Sequence, residues 1–89
     1  MEVRWSTLAA DDLERIFHRI EKDNPTAARN TVQAIYDGCA ELRKFPHRGR
    51  PGRMNGRREL VFAPHIAVYQ VKENTVEISR IYHEAQDWP

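Results

Sequence analysis

A single cysteine, Cys39, leaves the chain with no partner for an internal disulfide and points to a reducing compartment, the cytoplasm. No apolar run approaches membrane-spanning length, and the opening MEVRWSTL lacks the apolar core of a signal peptide. Neither insertion into a membrane nor export is expected. Four histidines and one cysteine fall at no metal-ligand spacing, so neither a metal site nor any other cofactor is expected. Internal repeats and low-complexity segments are missing too. At 89 residues there is room for one domain, 1–89. A chain of this length buries only ~60–65% of the surface its unfolded form exposes, which leaves a thin core that a bound partner would stabilise. Net charge is a mere +1, so the distribution of charge carries more information than its sum.

What is present is most informative in the last third. RRELVF, IAVYQV and TVEISRIYH are short runs rich in Val, Ile, Tyr and Phe, separated by APH and KEN. Such runs with turn-length breaks predict a three-stranded antiparallel meander. Upstream segments would cover one face of this sheet and leave the other basic and open. Met1 to Trp5 alternates and reads as a first, edge strand.

Between these strands lie two helical patterns. Ser6 or Thr7 offers an N-cap, and Asp11, Asp12 and Glu14 sit in early turns where a helix dipole favours acids. Leu13, Ile16, Phe17 and Ile20 then mark one buried face, to about Lys22. Asn24 caps a second helix with Pro25 at its first position, and Ala28, Val32, Ile35, Cys39 and Leu42 form its stripe. So short a connection requires an antiparallel helical hairpin. Phe45-Pro46 ends it. Cys39, on the stripe, reads as core and not as a nucleophile. The predicted class is α+β: an N-terminal strand, an antiparallel helical hairpin, then the three-stranded meander.

Charge is segregated along the chain. Arg43, Lys44, Arg48, Arg50, Arg53, Arg57 and Arg58 follow one another with no acid among them. Within this block HRGRPGRMNG holds three glycines and a proline and reads as a loop. Its arginine forks suit phosphates or carboxylates, and its glycines permit close backbone approach. The plainer alternative is a solvated loop.

The order of elements resembles one family. ERIFHRIEKDNPTAA in the hairpin, KFPHRGRPGR in the loop, RRELV opening the sheet and VEISRIYHEAQDW at the end together resemble the RelE/ParE superfamily of type II toxin–antitoxin toxins, over nearly the whole chain. The resemblance implies a microbial-ribonuclease-like sheet with the hairpin on one side. It also implies a cognate, acidic antitoxin that wraps hairpin and sheet and neutralises a growth inhibitor, with operator DNA engaged only through that antitoxin.

Two branches of the superfamily imply different chemistry. RelE-like members cut mRNA on the ribosome, which needs a proton acceptor, cations on the phosphate and an acid for the leaving oxygen. His83, Arg58 and Arg80 are the candidate catalytic groups for that branch. Arg48, Arg50, Arg53, Arg57 and Tyr82 are candidates for holding phosphate or the target. RelE-like nucleases carry an arginine where HIAVYQV has Ile66. ParE-like members bind and inhibit DNA gyrase, and both Ile66 and the RIYHEAQDW ending resemble that branch. The expected function is therefore a ParE-like gyrase inhibitor. A RelE-like endoribonuclease is the first alternative, and a non-toxic, antitoxin-binding co-regulator is the second.

Several of these residues have plainer roles open to them. Arg80, at the strand parity of Val76 and Ile78, could pair with Glu59 or Glu77, or mark a bulge. His83 could be solvated, His65 a turn residue and His18 a surface residue. Tyr69 and Trp5 read as core, and Trp88 as a cap folded over the sheet with Asp87 making a local hydrogen bond.

Overall fold

A computed structural model describes residues 1–86, so the roles expected of Asp87 and Trp88 lie outside the described residues. Strand β1 (Glu2–Trp5) leads into helices α1 (Thr7–Glu21) and α2 (Pro25–Ala40). Strands β2 (Arg50–Pro51), β3 (Arg58–Phe62), β4 (His65–Lys72) and β5 (Thr75–His83) follow. They form one sheet in the order β1-β5-β4-β3-β2. β3, β4 and β5 are the predicted antiparallel meander, while β1 lies parallel to β5 at the edge. The fold is α+β, as expected. Among the described residues no helix is long and apolar enough to cross a membrane.

Both helix starts follow from their caps. The Ser6 hydroxyl accepts from Ala9 N at 3.0 Å and donates to Ser79 O at 2.8 Å, so one side chain starts α1 and ties it to β5. Asn24 accepts from Ala27 N at 3.0 Å, with Pro25 at the first position of α2. Regular α-helix stops at Ala40, short of Phe45-Pro46. A 3₁₀ turn over Glu41–Arg43 follows and keeps Leu42 buried on the stripe.

The core lies between the hairpin and one sheet face. Ala9, Ile16, Ile35, Cys39 and Leu42 pack on Ala67, Tyr69, Val76, Ile78 and Ile81. Burial pushes the Cys39 thiol up to about 12, so it stays protonated and acts as a small apolar side chain.

Four expectations need correction. The loop from His47 is partly regular, because Arg50–Pro51 pairs with Arg58 and Glu59 as β2. Asp11 and Asp12 come too late to serve the helix dipole, since the first turn of α1 holds no acid. His65 is no turn residue. It opens β4 in register with Phe62 and His83, on the face of Ala67 and Tyr69, and is 5% exposed. Finally, the sheet face away from the hairpin is not bare and basic, because Ile66 and Val68 are buried at its centre with Tyr82 packed against them.

Candidate functional site

The basic loop is fastened to the sheet by three side chains. Glu59, buried on β3, accepts from Arg50 Nε at 3.0 Å and Arg50 Nη2 at 2.9 Å through Oε1, and from Arg53 N at 3.2 Å through Oε2. Tyr69 accepts from Gly49 N at 2.9 Å and donates to Pro46 O at 2.8 Å. Gly49 has to be glycine, since a Cβ there would stand 2.8 Å from Glu59 O and from the Tyr69 hydroxyl. Arg58 completes the fastening by donating to Gly49 O at 2.6 Å and to His47 O at 3.3 Å.

The loop arginines are therefore not one cluster. Arg50 and Arg58 are engaged inside the loop. Arg48 lies over the Phe45 ring, 4.8 Å from its centroid. Arg57 reaches the opposite side of the sheet and donates to Ser79 Oγ at 3.3 Å, beside Met54, Val68 and Tyr82.

At the end of β5 the arrangement turns on a bulge. Tyr69 faces Ile78 but Val68 faces Arg80, so Ser79 is the extra residue. Parity is thereby reset. Ile78 and Ile81 both enter the core, and Arg80 leaves the face it would have shared with Val76 and Ile78. Its partner is neither Glu59 nor Glu77. Arg80 Nε donates to Asp12 Oδ2 at 2.8 Å and Nη2 to Oδ1 at 3.1 Å, while Ile81 N donates to Oδ2 at 2.9 Å. Hydrogen bonding to Asp12 outweighs the cost of burial and holds Arg80 still more firmly protonated. The same guanidinium lies 5.1 Å from the centroid of Tyr82. His83 meets His65 edge to face at 5.5 Å, and its Nδ1 accepts from Ala85 N at 3.0 Å. His65 titrates below the ordinary imidazole value, first because it is buried, then because His83 and Arg19 are near.

Tyr82 and His83 thus lie toward one end of the sheet, with Arg80 further in, in the row of Val68 and Glu59, and Arg58 is far from His83. His83 lies in the row of His65 and Phe62, and Arg58 sits four residues along β3 from Phe62. That is ~13 Å along the strand, with β4 intervening. Asp12, Glu59 and His65 were not among the expected site residues. Asp12 had a signal: three residues after Ala9 and four before Ile16, it lies on the buried helical stripe. Glu59 had a weaker one, as the first acid after a run of seven cations.

A separate surface lies on the hairpin. Trp5, Leu13, Phe17, Val32 and Tyr36 line an apolar groove of about 370 Å³. Trp5 stacks on Tyr36 at 6.0 Å and 15°, while Tyr36 remains 52% exposed. Apolar side chains this open beside a groove mark a contact surface.

Comparisons with known proteins agree with this architecture. A family model described as the ParE toxin of the type II toxin–antitoxin system parDE matches residues 3–88. A Sinorhizobium fredii protein named as a candidate toxin, Y4kP, is 40% identical over 89 residues, covering 98% of this chain and 92% of its own. Among solved structures, a chain of the chromosomal ParDE toxin–antitoxin system from P. aeruginosa superposes with a TM-score of 0.85 at 30% identity. That match covers 93% of this chain and 95% of the other. A chain of the RelBE2 toxin–antitoxin complex from Mycobacterium tuberculosis gives 0.68 at 25% identity, covering 92% and 95%.

Proposed function

The chain belongs to the ParE toxin family of type II toxin–antitoxin modules, and from that premise we propose that it stops bacterial growth by binding DNA gyrase, with no nucleolytic step of its own. The observation that supports this most is the apolar patch of Ile66, Val68 and Tyr82. Cutting RNA at that face would need cations on the phosphate and a proton acceptor beside them. Ile66 supplies neither, and Arg58, the nearest substitute by sequence, spends its guanidinium on loop carbonyls. Exposed Leu8 and Met54 beside Tyr82, rimmed by Arg57 and Arg80, suit a protein partner.

Neutralisation by an antitoxin fits the hairpin groove. An amphipathic helix from the antitoxin would place apolar residues between Leu13, Phe17, Val32 and Tyr36.

The test is a pulse induction of the chain in bacteria, paired with a gyrase supercoiling assay on the purified protein. Supercoiling should be blocked and the damage response induced while translation continues, and His83→Ala should keep that toxicity. Tyr82→Ala should reduce it. Collapse of translation with mRNAs cut inside codons, abolished by His83→Ala, would replace this reading with the ribonuclease one.

A further inference from the structure

At the end of the sheet where β4 begins and β5 finishes, a cleft of about 160 Å³ opens under α1. Its charged and imidazole lining is Asp12, Arg15, Arg19, His65, Arg80 and His83, with Gln86 at its edge. Three guanidinium groups face one carboxylate, which leaves an excess of positive charge. That carboxylate is already used. Asp12 Oδ2 accepts from Arg80 and Ile81, and Oδ1 from Arg80 and, at 3.4 Å, Arg15. Arg19 has no carboxylate partner among the described residues. Glu84, the acid that His65 senses, is exposed and does not line the cleft.

The two imidazoles are set as donors. His65 is buried, and its Nδ1 has no hydrogen-bond partner among the described residues. A sealed N–H without an acceptor costs more than a sealed lone pair, so the ring proton belongs on Nε2. In His83, Nδ1 already accepts from Ala85 N, which again leaves the proton on Nε2. Arg15 and Arg19 stand one helical turn apart above them. Donors thus approach from the helix and from the sheet, which surrounds a tetrahedral anion better than a planar one.

We propose that this cleft between α1 and the β4–β5 end binds a phosphate group, held by Arg15, Arg19, His65 and His83 with Arg80 behind them. The site shares Arg80 with the rim of the apolar patch, but Arg15, Arg19, His65 and His83 lie outside that patch, and the site does not depend on gyrase being the target. Its test is a titration of the full ¹⁵N-labelled chain with inorganic phosphate above pH 7, at constant ionic strength, following the imidazole resonances. Both His65 and His83 should shift in a saturable manner. Arg19→Gln, on the exposed face of α1, should weaken binding about tenfold, the loss of one contact of about 1.4 kcal/mol. Arg15→Gln should act likewise, and Arg29→Gln on α2 should change nothing.

An oligonucleotide lacking terminal phosphates is the second arm. Saturable shifts of the same resonances would make a nucleic-acid backbone the source of the group. Shifts with inorganic phosphate alone would make it a free or terminal phosphate. Shifts that never saturate, that survive Arg19→Gln and Arg15→Gln unchanged, or that acetate reproduces at equal strength would each overturn the assignment.

Discussion

The Tyr69 hydroxyl sits between two backbone groups of the basic loop, accepting from Gly49 N and donating to Pro46 O. Tyr69→Phe would keep the ring in the core and orphan the buried Gly49 N–H. A loss of about 1–3 kcal/mol is expected, read as a lower urea midpoint with an unchanged slope. His65 sets a different dependence. Its folded pKa lies below the unfolded value of 6.5, so the unfolded chain binds more protons in between. Stability from this group is therefore complete above 6.5 and is lost as pH falls through the folded value. His65→Phe should flatten that part of a stability profile measured between pH 7 and 5. Neither role was legible residue by residue. Tyr69 was assigned to the core, correctly, but its hydroxyl's task depends on a loop twenty residues away. Asp11 and Asp12 are adjacent and alike, and only the helical stripe separates the exposed one from the buried one.

Among the elements, α2 and β3 meet at a point where no side chain fits. A Cβ on Gly38 would run into Cε1 and Cζ of Phe62. Helix propensity favours Gly38→Ala by about 1 kcal/mol, whereas overpacking costs roughly 1–3 kcal/mol. Gly38→Ala should therefore be net destabilising, by up to about 2 kcal/mol. In a Phe62→Leu background the same change should become stabilising, and the double-mutant cycle measures that reversal. If the effect is equal in both backgrounds, the Phe62 contact is not the reason for the glycine. Both helices, their caps and the meander could be read from period and turn chemistry because each depends on near neighbours. The bulge was open at Arg80 only as one reading among others, and its place at Ser79 could not be fixed from the sequence. It appears only when β5 is laid against β4, and it decides which way Arg80 faces. The same holds for β2, two residues long and recognisable only through its partner β3.

Taken whole, the molecule has a thin core, a groove on its hairpin and an apolar patch on its far face. A partner that binds the folded form alone raises its stability by mass action, about 2.7 kcal/mol at a hundred times the Kd. The antitoxin reading predicts that Tyr36→Glu, beside the groove, costs the lone chain only its stack on Trp5, about 0.5–1.5 kcal/mol. It should weaken antitoxin binding more than tenfold by calorimetry. Equal affinity would move the antitoxin off the groove. This surface was foreseen only as a general docking face of the hairpin, since the groove needs Trp5 from β1 as well as both helices.

The parallel pairing of β1 with β5 also sets an order in time. Ser6, which starts α1, hydrogen-bonds to Ser79, 73 residues later, and Val3 pairs with Val76. Strand β1, once made, therefore waits for β5 to be made. At 5–20 residues per second that interval is roughly 4–15 s. Until it has passed, β1 has no edge to join and the groove lacks one of its walls. An antitoxin helix seated in that groove would therefore engage the chain only after β5 has been made.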